Sequence, residues 1–170
     1  MRILAALGGL MVVMGPMPST GVSEARNSLM TSVFDATPDE GMRLRRAKVK
    51  DTRRLYQKTY KSPESVARLA RKAGIAPERL ARLAAISDLS RLWRVTPRVA
   101  SLMVDAGVTS MGELARRDPE ALGQRVAALN AQSKKTMNLP GRAELAGWIK
   151  DARRLLPEDW EQRRSSASIH

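Results

Sequence analysis

Helix-capping residues placed directly before proline recur along this chain and divide it into short segments. Ser62-Pro63, Thr96-Pro97 and Asp118-Pro119 each set a side-chain oxygen where it can cap a helix N-terminus, and the proline suits the first helical turn. Gly74 and Gly107 supply the glycine that commonly ends a helix. A chain divided in this way is expected to fold into several short helices joined by tight turns.

These boundaries predict the individual helices. Helices are predicted from Pro63 to Ala73, from Pro77 to about Leu89, from Pro97 to Gly107, from Pro119 to about Asn130, and from Gly141 to about Leu156. Apolar residues at helical spacing support them: Val99, Leu102 and Met103 on one helix, and Leu145, Trp148, Ile149, Ala152 and Leu156 on the last. Strand-favouring residues are scarce, with one Phe and two Tyr among 170 residues, so the predicted class is all-α in one domain.

A weak internal repeat runs through the middle of the chain. Ala73-Gly74-Ile75 with the following Leu80-Ala81-Arg82 recurs as Ala106-Gly107-Val108 with Leu114-Ala115-Arg116. Each copy combines a helix, a glycine stop, an aliphatic residue and another short helix. The repeat predicts two helical hairpins that bury their apolar faces against each other.

The positive charge is concentrated in one quarter of the chain. The net charge is +13, and residues 41–82 hold fourteen basic and three acidic residues. Such a block attracts polyanions over a long range. The candidate phosphate contacts are the basic cluster, with two arginines from the second hairpin: Arg43, Arg45, Arg46, Lys48, Lys50, Arg53, Arg54, Lys58, Lys61, Arg94 and Arg98.

The sequence offers little to catalysis. It contains no cysteine, and its one histidine is the terminal His170, so thiolate chemistry is excluded and a histidine-based centre is not expected. Phosphate-loop and dinucleotide glycine patterns are also missing. We therefore expect a binding module that is not an enzyme, with no catalytic residue, cofactor or metal site and no small-molecule substrate.

Three aromatic residues allow alternative interpretations. Tyr56 and Tyr60 lie four residues apart in the basic cluster, where they could stack on bases, although packing as the apolar edge of a helix is favoured. Trp93 could be exposed at the tip of a hairpin or packed on a neighbouring helix.

The N-terminal segment has the pattern of an export signal. Arg2 precedes an apolar run, Ile3–Met14, and small residues at Ser23 and Ala25 suit cleavage before Arg26. The run is too short to span a bilayer, so no integral span is expected in the mature chain. The predicted organisation is a signal peptide at 1–25, a linker at 26–41, a helical domain at 42–157 and a flexible tail at 158–170. The alternative is a start at Met30 or Met42, which would leave the protein in the cytoplasm.

Several motifs in order resemble a known bacterial family. Ser62-Pro63-Glu64, Ala73-Gly74-Ile75, Asp105-Ala106-Gly107-Val108, Glu113 to Glu120 and Trp148-Ile149 are similar to the domain of unknown function 4332, over roughly residues 45–157. The resemblance implies a tandem helix-hairpin-helix, SAM-like fold, a motif that binds the DNA backbone without sequence preference. It implies no reaction.

The second hairpin departs from the family pattern. Family members carry a segment resembling Ile-Pro-Gly-Ile-Gly, and Arg94 and Thr96 stand here in place of the two glycines. Side chains at these positions obstruct a close approach of backbone N–H groups to phosphate. Charge is therefore the stronger argument for sequence-independent nucleic-acid binding. Two alternatives remain: a protein-interaction or assembly module, and a protein that binds an anionic envelope surface.

Overall fold

The structure is a computed structural model that describes residues 35–156. The predicted signal peptide, residues 26–34 of the predicted linker and the predicted tail at 158–170 lie outside the described residues. Within this range the chain forms helices and no strand, so the all-α prediction is confirmed. The helices are α1 (Pro38–Arg46), α2 (Thr52–Thr59), α3 (Pro63–Ala73), α4 (Pro77–Leu89), α5 (Pro97–Asp105), α6 (Met111–Ala115), α7 (Pro119–Ser133) and α8 (Arg142–Leu155).

Side-chain caps begin the helices where the sequence predicts them. The hydroxyls of Ser62 and Thr96 and the carboxylate of Asp118 each accept a hydrogen bond from the backbone N–H three residues on. Each cap satisfies an N–H group that has no partner inside its helix. The predicted starts of α3, α5 and α7 are confirmed, whereas α7 continues three residues beyond the predicted Asn130.

Helix α1 corrects the predicted linker. Thr37 caps this helix through the backbone N–H of Glu40, and the Glu40 carboxylate accepts from the N–H of Thr37, which forms a capping box. The Ala36 side chain is buried in the core. Residues 35–41 therefore belong to the helical domain, and the predicted boundary at residue 41 is wrong, because a mostly polar segment can begin a helix when a strong cap and a buried apolar anchor hold it.

One type of helix ending occurs three times. After α1, α3 and α5 the chain makes the pair of backbone hydrogen bonds of a Schellman motif, with a left-handed residue at the turn. Glycine holds that position at Gly74 and Gly107, and Lys48 holds it after α1. A buried aliphatic residue follows each time: Val49, Ile75 and Val108. The repeat that the sequence shows in two copies thus has a third structural copy.

Arginines close both glycine turns. Arg43 donates from a guanidinium nitrogen to the carbonyl oxygen of Gly74 at 2.5 Å, and Arg117 donates to that of Gly107 at 2.6 Å. Arg43 also pairs with Asp39 one turn away, at 2.8 Å. Arg43 therefore joins α1 to the end of α3.

The core consists of two clusters joined by α4. The first half of α4 contributes Leu80 and Leu83 to a cluster formed with α1–α3, and its second half contributes Ile86 and Leu89 to a cluster formed with α5–α8. Trp148 is 7% exposed in the second cluster, which confirms the predicted apolar stripe on the last helix.

A polar network joins the N-terminal end of the domain to α4, to α5 and to the segment after α7. The Ser101 hydroxyl is fully buried; it donates to Asp35 and accepts from Arg82 and Lys135. Arg82 and Lys135 also contact the two oxygens of Asp105, at 2.6 and 2.8 Å. Burial opposes the charge on Asp105, but these two hydrogen bonds prevail and lower its pKa.

A second ion pair fixes α1 against α4. Arg79 donates from Nε and from a terminal nitrogen to the two oxygens of Glu40, at 2.8 and 3.0 Å, and it also donates to the carbonyl oxygen of Asp35. The bond from Arg79 lowers the pKa of Glu40, and the capping bond from Thr37 adds to this effect.

Candidate nucleic-acid interface

The basic segment, residues 43–61, is held by buried apolar residues that alternate with its cations. Leu44, Val49 and Leu55 are fully buried in the first core cluster. Because these anchors fix the backbone of α1, α2 and their connection, the intervening basic side chains extend away from the core. The segment therefore forms a rigid support for positive charge.

Very little negative charge lies within the basic segment. Asp51 is its one acidic residue, against nine basic residues. The Asp51 carboxylate caps α2 by accepting from the backbone N–H of Arg54 at 2.7 Å. Its charge is thus used at the helix N-terminus, where the helix dipole favours an anion.

The predicted phosphate contacts differ in their surroundings. Arg43 is engaged in the internal contacts described above, and Arg45 and Lys58 are half-buried. The others are exposed, and no described carboxylate lies within ion-pair distance of them: Arg46, Lys48, Lys50, Arg53, Arg54, Lys61, Arg94 and Arg98.

A shallow groove of about 340 Å³ lies between α2 and the C-terminal end of α4. Arg91 closes one side of it: its guanidinium carbon lies 4.1 Å from the centre of the Tyr56 ring, and a terminal nitrogen pairs with Asp88 at 3.0 Å. The Tyr56 ring also stacks on Tyr60, with 5.1 Å between ring centres. The groove is lined by Thr52, Arg53, Tyr56, Gln57, Ser87, Ser90 and Arg91.

The second hairpin, taken as residues 90–98 with the first turn of α5, follows directly from this groove. Leu92 and Val95 are buried, and the N–H of Val95 donates to the carbonyl of Leu92 to close a turn. Arg94 has a φ of 65°, so the position at which the resemblance expects the first glycine adopts the left-handed conformation that favours glycine. Thr96, at the second glycine position, caps α5.

The tip of the hairpin carries an exposed indole. Trp93 is 80% exposed, while its backbone carbonyl oxygen accepts a hydrogen bond from Nε1 of the buried Trp148 at 3.0 Å. Of the two interpretations of Trp93, the structure supports the exposed tip.

Comparison with known proteins identifies the family. A family model described as Domain of unknown function (DUF4332) matches residues 35–155. The chain belongs to the DUF4332 family. No curated protein and no solved structure matches it. The matched range begins at Asp35, in the polar network, and ends with the last residue of α8, so it coincides with the helical domain.

The DUF4332 domain unites two regions that are separate in the sequence. The basic segment and the second hairpin were predicted as distinct groups of cations, and the contact of Arg91 with Tyr56 joins them. The predicted site residues do not include Arg91, although a cation within a hairpin is a recognisable feature. The favoured packing of Tyr60 into the core is wrong, because this side chain is 56% exposed and contacts Tyr56 instead.

Between residues 35 and 156, no group of three or more histidine, cysteine, aspartate or glutamate residues could hold a metal ion. None of the helices in this range is long and apolar enough to cross a membrane.

Proposed function

We propose that the DUF4332 domain binds the phosphate backbone of nucleic acids without sequence preference. The observation that carries the proposal is the concentration of exposed cations without carboxylate partners on the basic segment and the second hairpin. In the contacts among α1, α4, α5 and the segment after α7, by contrast, Arg79, Arg82 and Lys135 pair with acidic residues of the domain. The exposed cations of the basic segment other than Arg43 have no such partner in the described chain and remain available to an external anion.

The character of these cations favours binding to the backbone rather than recognition of bases. Arginine and lysine neutralise phosphates and release counterions, which gives affinity that is independent of sequence. Sequence recognition commonly uses a helix or ribbon inserted into a groove, together with side chains that match base edges. The exposed contacts proposed here are those of Arg46, Lys48, Lys50, Arg53, Arg54, Lys61, Arg94 and Arg98.

The test measures how binding to duplex DNA depends on salt. Unrelated duplexes should bind with similar affinity, and four to six neutralised phosphates give a slope of about −3.5 to −5.5 for log affinity against log salt. Replacing Arg53, Arg54 and Lys61 by Ala should reduce the magnitude of the slope by about two to three if all three side chains reach phosphates.

A matched variant controls for net charge. Arg125, Arg142 and Lys150 are exposed cations on α7 and α8, outside the proposed surface. Their replacement by Ala removes the same charge and should change the slope by less than about one. Equal effects of the two triple variants, or the absence of any DNA binding at about 50 mM salt, would overturn the proposal. Binding to anionic vesicles or to an acidic protein would then be the hypothesis to test.

A further inference from the structure

The tip of the second hairpin carries an exposed indole on a fixed backbone turn. Trp93 is 80% exposed, whereas its neighbours Leu92 and Val95 are at most 6% exposed. Because buried residues stand on both sides of the turn, Trp93 and Arg94 extend together into solvent. The hydrogen bond from Trp148 to the Trp93 carbonyl further fixes the turn. The indole is therefore presented on a rigid support.

Exposed arginines surround the indole in the chain. Arg94 and Arg98 are exposed, without a carboxylate within ion-pair distance in the described chain. Arg91 lies two residues before Trp93, which limits the distance between their Cα atoms to about 7 Å. Since Arg91 borders the groove that contains Arg53, the indole adjoins the phosphate-binding surface proposed above.

We propose that Trp93 stacks on an unpaired base, so that the domain prefers single-stranded nucleic acid to a bare phosphate backbone. This inference rests on the proposed function. An aromatic face stacks on any base, because every base has a π-face, and it adds affinity without sequence preference. The bases of an intact duplex are already stacked on each other, so the indole gains this contact only from a single strand or a strand end.

The experiment compares two single strands of equal charge. One is an oligothymidine of about 20 nucleotides and the other is an abasic backbone of the same length, both labelled for fluorescence anisotropy. The full chain should bind the oligothymidine more tightly by a factor between about 5 and 150, the contribution expected of a stacked base. Trp93→Ala should bind both strands alike and keep the salt dependence of the wild type. Trp93→Phe should keep most of the preference, because a phenyl ring also stacks.

Met137 provides the matched control. Its side chain is 98% exposed, and Met137→Ala removes exposed apolar surface outside the hairpin without changing charge. This variant should keep the preference for oligothymidine. Equal binding of both strands by the wild type, or an undiminished preference in Trp93→Ala, would overturn the stacking proposal and leave backbone binding intact. Binding of neither strand at about 50 mM salt would instead overturn the proposed function itself.

Discussion

The indole nitrogen of Trp148 donates a hydrogen bond to the backbone carbonyl oxygen of Trp93, 55 residues earlier in the chain. One tryptophan is thereby buried in the core and the other is held at the surface. The bond joins the middle of α8 to the turn that precedes α5. The orientation of the hairpin therefore depends on the packing of the last helix, which the local sequence of the hairpin does not reveal.

Trp148→Ala should lower the free energy of unfolding by about 3 to 5 kcal/mol, because it leaves a cavity in the second core cluster. Trp148→Phe should cost less, since it keeps most of the apolar burial and removes the hydrogen bond to Trp93. Denaturant unfolding followed by far-ultraviolet circular dichroism measures both values. An unchanged denaturant midpoint for Trp148→Ala would contradict the burial of this side chain.

Arg94→Gly should have opposite effects on stability and on binding. The left-handed conformation of Arg94 is unfavourable for a residue with a Cβ atom, so glycine should raise the free energy of unfolding by about 0.5 to 1 kcal/mol. The loss of one phosphate contact should reduce the salt slope of DNA binding by about one. Thermal unfolding and a salt titration of affinity measure the two effects.

Lys134→Gly is the control for Arg94→Gly, because Lys134 also has a positive φ but lies at the end of α7. It should stabilise the domain similarly and leave the salt slope unchanged. Tighter DNA binding by Arg94→Gly would contradict the assigned role of its side chain. Such a result would mean that backbone N–H groups of the hairpin approach phosphate and that Arg94 hinders them.

The ion pair between Glu40 and Arg79 should make the stability of the domain depend on pH. Folding lowers the pKa of Glu40, so its contribution is fully present above the ordinary value of 4.5 and is lost as the pH falls through the lower pKa of the folded state. Glu40→Gln should therefore lower the melting temperature at neutral pH and weaken its decline in acid.

Melting temperatures of wild type and Glu40→Gln, measured from neutral pH down to about pH 3, test this expectation. Glu78→Gln removes the same charge from an exposed position in the first turn of α4, and it should keep the acid dependence of the wild type. A Glu40→Gln variant that loses stability in acid as steeply as the wild type would show that other carboxylates govern the decline.

Local signals account for the parts of the fold that were predicted correctly. Ser62, Thr96 and Asp118 cap the helices that follow them because the cap and its partner N–H are only three residues apart. Helix α1 has an equally strong signal in Thr37 and Glu40, but residues 35–41 are mostly polar, and this composition is also typical of a linker. The end of α7 carries no glycine, since Lys134 takes the left-handed position there, and the helix was therefore predicted too short.

The candidate interface could be predicted only in part, because its cations are visible in the sequence and their grouping is not. Arg53 and Lys50 stand out by composition alone. The contact of Arg91 with Tyr56 depends on the packing of α2 against α4, which no local pattern specifies. The engagement of Arg43 at the end of α3 likewise arises from a contact across 31 residues of sequence.

The sharing of α4 between the two core clusters has a consequence for cooperativity. A helix that contributes Leu83 to one cluster and Ile86 to the other cannot lose its packing on one side without weakening the other. The two halves are therefore expected to unfold as a single unit, and the amides in the middle of α4 should exchange with solvent chiefly through global opening. The basic segment belongs to one half and the second hairpin to the other. Their relative positions are therefore lost only when the whole domain unfolds.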